Sequence, residues 1–190
     1  MRIVAYDPSF INLGVAFGIS TPNGVDLHSA QTYKIDQLLN KIGVKHDWDT
    51  SDNRKRMLMV GRVLHYTLNA FSPDIVVLED PIYNKRNPDS LITQSRCLGV
   101  LEQTIERYFQ TRQVAPITNF KPNVIKLGVG VPKGRFNDKE AITERLEHLM
   151  QEGVLRYTDK TMVPQLSDDH TNDAVAMVFT KHLEVQHELA

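Results

Sequence analysis

Three short acidic stretches stand apart in this 190-residue sequence. In the first, the apolar run Ile3-Val4-Ala5-Tyr6 ends on Asp7, and Pro8-Ser9 turns the chain before a second apolar run opens at Leu13. In the second, Ile75-Val76-Val77-Leu78 ends on Glu79, followed by Asp80 and Pro81. In the third, Asp168, Asp169, His170 and Asp173 cluster just before Ala174-Val175-Ala176-Met177. A carboxylate at the end of a buried strand is costly unless something compensates it. A metal, a nucleotide or a ligand hydroxyl can do so, and the other acidic residues favour a metal. Carboxylates suit Mg²⁺, and an imidazole among them shifts preference toward Mn²⁺.

Spacing narrows the third stretch. On a helix Asp169 and Asp173 are four apart and His170 and Asp173 three apart, so each pair can share a face. Helix capping accounts for part of it, with Ser167 as N-cap and Asp168 and Asp169 complementing the helix dipole. Capping does not account for Asp173, which lies past the first turn among small apolar residues. Asp80, beside Pro81, reads as a turn residue.

The elements that must position these side chains follow from periodicity. Residues 2–7 and 13–19 read as strands and 25–33 as a third, with Thr21-Pro22-Asn23-Gly24 as the turn between the last two. That is an antiparallel meander. Residues 34–51 are poorly patterned. A helix is expected over 52–70, with Met57, Val60, Val63, Leu64, Leu68 and Phe71 on one face, followed by a buried strand over 75–79. A helix over about 90–111 carries a Leu98, Leu101, Ile105, Tyr108 seam, and a short strand is expected at 113–117. Residues 121–136 are rich in Gly, Lys and Pro. Asn137 with Glu140 signals a helix start, Gly153 its stop, and a last helix begins near Ser167. The order gives a mixed α/β plan with helices on both faces of a sheet, in one domain over 1–190.

Taken in order, Asp7 ending the first strand, Glu79 ending the Ile-Val-Val-Leu strand, and His170-Thr171-Asn172-Asp173-Ala174-Val175-Ala176 opening the last helix resemble the RuvC family of Holliday junction resolvases. Gly128-Val129-Gly130 and Lys139 extend the likeness. The resemblance implies an RNase H-like fold with a mixed five-stranded sheet. It implies two Mg²⁺ ions, replaceable by Mn²⁺, held by Asp7, Glu79, His170 and Asp173, with Asp169 the alternative fourth ligand. The implied reaction is hydrolysis of a phosphodiester to a 5′-phosphate and a 3′-hydroxyl, by two ions about 3.5–4 Å apart. Paired, symmetric nicks in a four-way junction require two active sites and hence a homodimer, for which the family uses the helix bearing the Leu98–Tyr108 seam. Tyr83, Lys85, Arg86, Lys121, Lys126, Lys133, Arg135 and Lys139 are the expected DNA contacts, Tyr83 by stacking and the rest through phosphates. A bacteriophage source is expected for a variant of this kind.

Composition is compatible with that reading without demanding it. Net charge is −1, so no overall basicity advertises nucleic acid. A single cysteine, Cys97, excludes an internal disulfide, and neither a membrane span nor a signal-peptide pattern is visible, so a cytoplasmic protein is expected. Two rival readings remain: a branched-DNA nuclease cutting flaps and Y-forks, and a junction-binding protein without cleavage. An actin-type ATP-binding fold also opens with strand, Asp, turn and strand, but Pro8-Ser9-Phe10-Ile11 makes a poor phosphate cradle.

Overall fold

The computed structural model describes residues 1–42, 53–81, 88–110, 116–136, 140–158 and 168–188. Strand β1 (Arg2–Asp7) pairs antiparallel with β2 (Asn12–Thr21), which pairs antiparallel with β3 (Gly24–Lys34). This is the expected meander. Helices α1 (Ile35–Lys41) and α2 (Arg54–Phe71) follow, then β4 (Ile75–Glu79), which lies parallel to β1 on its other side. Helix α3 (Pro88–Tyr108) leads to β5 (Ile117–Phe120), α4 (Pro122–Gly128), a short 3₁₀ turn and α5 (Glu140–Gln151). Strand β6 (Leu155–Tyr157) and α6 (Asp169–Glu188) complete the chain. The mixed sheet runs β5-β4-β1-β2-β3-β6.

Among the described residues that is six strands, where five are expected. The sixth, β6, is only three residues long, too short for periodicity to reveal. It pairs parallel with the start of β3, Val25 against Leu155, and Arg156 bonds Asp26 at 2.7–2.8 Å. It thereby covers an edge that would otherwise offer unpaired backbone. β5 begins at Ile117, where a strand at 113–117 is expected, because Pro116 has no N–H to pair and contributes only its carbonyl, to the Val76 N–H. Two further helices occupy the poorly patterned stretch 34–51 and the Gly-, Lys- and Pro-rich stretch 121–136. In α1 only Ile35 and Leu39 are buried, and α4 starts on Pro122, whose fixed φ suits a first helical position. Asn137, expected to cap α5, lies outside the described residues.

Strand alternation sorts the core into two layers. Ile3, Ala5 and Val77 face α4, α5 and α6, while Val4, Tyr6, Val76 and Leu78 face α1, α2 and α3. The buried Tyr6 hydroxyl ties the sheet to α2 through Thr67 Oγ1, 2.7 Å away. Leu101 and Ile105 of the α3 seam are fully buried in this second layer, so the seam's centre is core. α6 is buried nearly all round from Thr171 to His182, the pattern of a helix enclosed by protein. Among the described residues no helix is long and apolar enough to cross a membrane.

Candidate functional site

Period-two alternation decides where the strand-end carboxylates point. Asp7 and Glu79 continue the odd-numbered series Ile3, Ala5 and Val77, so both face the layer that holds α6. β1 and β4 are parallel neighbours in register up to Tyr6 against Leu78, which brings the two carboxylates to the same end of the sheet. The first turns of α6 lie across that end. A Cβ on Gly14, the partner of Asp7 on β2, would lie 2.1 Å from the His170 carbonyl oxygen, so only glycine lets the helix approach this closely.

The result is a compact group of Asp7, Glu79, His170 and Asp173. His170 Nδ1 contacts Asp7 Oδ2; the Asp7 side chain is 9% exposed and the imidazole 34%. Glu79 hydrogen-bonds to Asp7 and is pushed up to about 9, by burial first and then by the charges of Asp7 and Asp173. Asp173 is pushed up to about 7 by burial and by Asp7, partly offset by His170. The hydrogen bond to Asp7 raises the His170 pKa against the effect of burial. Asp169 is exposed, and its charge adds only a lesser repulsion at Asp173. Asp168 caps α6 in the role expected of Ser167, which lies outside the described residues: its Oδ1 accepts the His170 N–H at 3.0 Å.

The expected DNA contacts divide. Lys121 and Lys133 are exposed, and Arg135 is paired with Glu144 at 2.6 Å. Lys126 turns inward: its Nζ donates to the Phe136 carbonyl, and its charge lowers the pKa of both Glu79 and Asp173. Tyr83, Lys85, Arg86 and Lys139 lie outside the described residues. The sequence reading missed Thr32, whose hydroxyl reaches Asp168 and Thr171 from β3. A lone threonine in a polar strand carries no signal of that contact.

The donor set suits a hard divalent ion. Three carboxylates and an imidazole share one partly enclosed end of the sheet, and their mutual repulsion is relieved by protons that a dication would replace. Among the described residues no three such side chains already stand as a ligating group; His170 Nδ1 is instead in contact with Asp7 Oδ2.

No protein-family model matches the sequence. The chain is 25% identical over 184 residues to crossover junction endodeoxyribonuclease RuvC of Prochlorococcus marinus, covering 97% of each protein. Its fold is similar to that of Thermus thermophilus RuvC in complex with Holliday junction substrate, with a TM-score of 0.69 at 16% identity over 100% of this chain and 98% of that one. It is similar also to the yeast mitochondrial Holliday junction resolvase Ydc2, with a TM-score of 0.66 at 13% identity over 97% and 80%.

Proposed function

We propose that this chain, which belongs to the RuvC family, is a divalent-metal-dependent endonuclease that resolves Holliday junctions by paired symmetric nicks. The observation that carries this is the meeting of Asp7, Glu79, His170 and Asp173 at one end of an RNase H-like sheet, in a chain similar over its whole length to a named RuvC.

We assign Asp7, Glu79 and Asp173 as the carboxylates that would hold two Mg²⁺ ions, with Mn²⁺ able to replace them; Asp7 interacts with both Glu79 and His170. Bound there, the ions would activate a water near neutral pH and stabilise charge on the scissile phosphate. His170 is one-third exposed, within reach of solvent, and is assigned as a further ligand or as the acceptor of the proton lost by the attacking water. Asp169 is the lesser ligand candidate, being exposed. Lys126 balances part of the acidic charge from inside, and Lys121 and Lys133 are left to meet phosphates. Tyr83, Lys85, Arg86, Arg135 and Lys139 complete the proposed DNA contacts.

Two nicks require two copies. We assign the dimer contact to the outer surface of α2 and α3, where Leu58 and Tyr66 are 68% and 67% exposed along a groove between the helices. Cutting of a labelled four-way junction beside a Y-fork and a linear duplex tests the substrate. Symmetric nicks in the junction alone support a resolvase. Equal cutting of the Y-fork would replace that reading with a general branch nuclease, and binding without cutting would leave a junction-binding protein.

A further inference from the structure

Asp7, Gly14 and Thr32 form one row across three neighbouring strands: Asp7 pairs with Gly14 between β1 and β2, and Gly14 with Thr32 between β2 and β3. The first turn of α6 lies along this row. At one end His170 crosses over Gly14 and reaches Asp7. At the other, Thr32 Oγ1 donates to Asp168 Oδ1 at 3.0 Å and stands 2.8 Å from Thr171 Oγ1. A hydroxyl has one proton, and that of Thr32 is directed to Asp168, so Thr171 donates to Thr32. Asp168 Oδ1 also accepts the His170 N–H at 3.0 Å. The hydrogen bonds therefore run from Thr171 through Thr32 and Asp168 to the backbone of the residue that touches Asp7.

We infer that Thr32 is a positioning residue: with Asp168 and Thr171 it latches the first turn of α6 to β3 and so holds His170 and Asp173 in place against Asp7. An N-cap alone would need only Asp168 and the His170 N–H. The additional bonds go to a different strand, and they secure a helix end, where fraying would otherwise begin. The two α6 residues assigned to the chemistry lie within the first five positions of the helix. The latch leaves the acidic group itself untouched, acting on its geometry alone.

The catalytic consequence rests on the proposed function, so the test has arms that do not. Thr32→Val keeps the shape and removes both hydrogen bonds; Thr32→Ser keeps the hydroxyl. In Thr32→Val, Mn²⁺ affinity measured by calorimetry is expected to fall about tenfold, at the lower end of the 10–100-fold typical for partners that orient metal ligands. Junction kcat falls similarly, KM stays within about twofold, and amide exchange quickens at residues 169–172 but not in the rest of α6. Thr32→Ser restores all of these. Thr171→Val, which removes one link, gives a smaller change in the same direction and serves if Thr32→Val does not fold. Wild-type Mn²⁺ binding and cutting in Thr32→Val, or no recovery in Thr32→Ser, would overturn the latch. If the native protein neither binds Mn²⁺ nor cuts junctions, the proposed function fails. Exchange at 169–172 then decides the latch alone: faster in Thr32→Val supports it, unchanged overturns it.

Discussion

Gly14 and His170 meet backbone to backbone: a Cβ on Gly14 would stand 2.1 Å from the His170 carbonyl oxygen and 2.6 Å from its carbonyl carbon. Because Gly14 is the β2 partner of Asp7, this contact sets how closely the last helix approaches the acidic end of β1.

Gly14→Ala is therefore expected to push α6 off the sheet. The neighbour is backbone and cannot rotate away, so overpacking costs about 1–3 kcal/mol. That corresponds to roughly 2–12 °C in thermal midpoint for a chain of this size. Junction cleavage falls at least about tenfold, since a small misplacement of reacting groups is expensive. Thermal melting and single-turnover cleavage check this; a variant that melts and cuts like the native protein contradicts it.

Protonation and metal should compete at the site. Glu79 and Asp173, pushed up to about 9 and about 7, hold protons more tightly folded than unfolded, as does His170. Each therefore contributes stability that is present in acid and lost as pH rises through its folded value. The metal-free protein is expected to melt progressively lower from pH 5 to pH 9, and the rise in melting temperature on adding Mg²⁺ to grow over the same range. A metal effect that is largest at pH 5 would count against this account.

Asp173→Asn separates the two effects. Removing this charge relieves repulsion at Glu79, whose pKa the Asp173 carboxylate helps to raise. At pH 9 the metal-free variant should melt higher than the native protein, while Mg²⁺ stabilises it less and cleavage is lost. Differential scanning in EDTA and in Mg²⁺ reads both; unchanged Mg²⁺ stabilisation would remove Asp173 from the ligand set.

The groove between α2 and α3 gives a test of the dimer. Tyr66 is exposed at its rim, so Tyr66→Arg should leave folding intact while adding charge to a surface assigned to a second copy. Sedimentation should show a dimer for the native chain and a monomer for the variant, with paired nicks becoming single ones. An unchanged dimer would move the contact elsewhere.

Much of the site was legible because strands and helices advertise themselves by period. Asp7 and Glu79 close apolar runs, and Asp173 interrupts a helix that small residues mark as buried; each of those features is local. What brings them together is partly legible too, since two parallel strand ends and a helix start can share one edge. The rest depends on partners distant in sequence. Thr32 becomes meaningful only when register sets it opposite Gly14, and Lys126 turns inward only because the Phe136 carbonyl is there to accept from it. β6 and α1 carry too few buried side chains to declare a period; β6 is held by pairing with β3 and by the Arg156–Asp26 pair, and α1 by Ile35, Leu39 and the Asp36–Arg56 pair at 2.8 Å.

The central claim is that this acidic group binds metal and cuts branched DNA. The most direct measurement is single-turnover cleavage of a labelled four-way junction by the native protein and by Asp7→Asn, each with Mg²⁺ and with EDTA. The account predicts symmetric nicks by the native protein in Mg²⁺ only, and at least about a 10²-fold loss in Asp7→Asn with junction binding retained. Cleavage that persists in EDTA, or in Asp7→Asn, would contradict it.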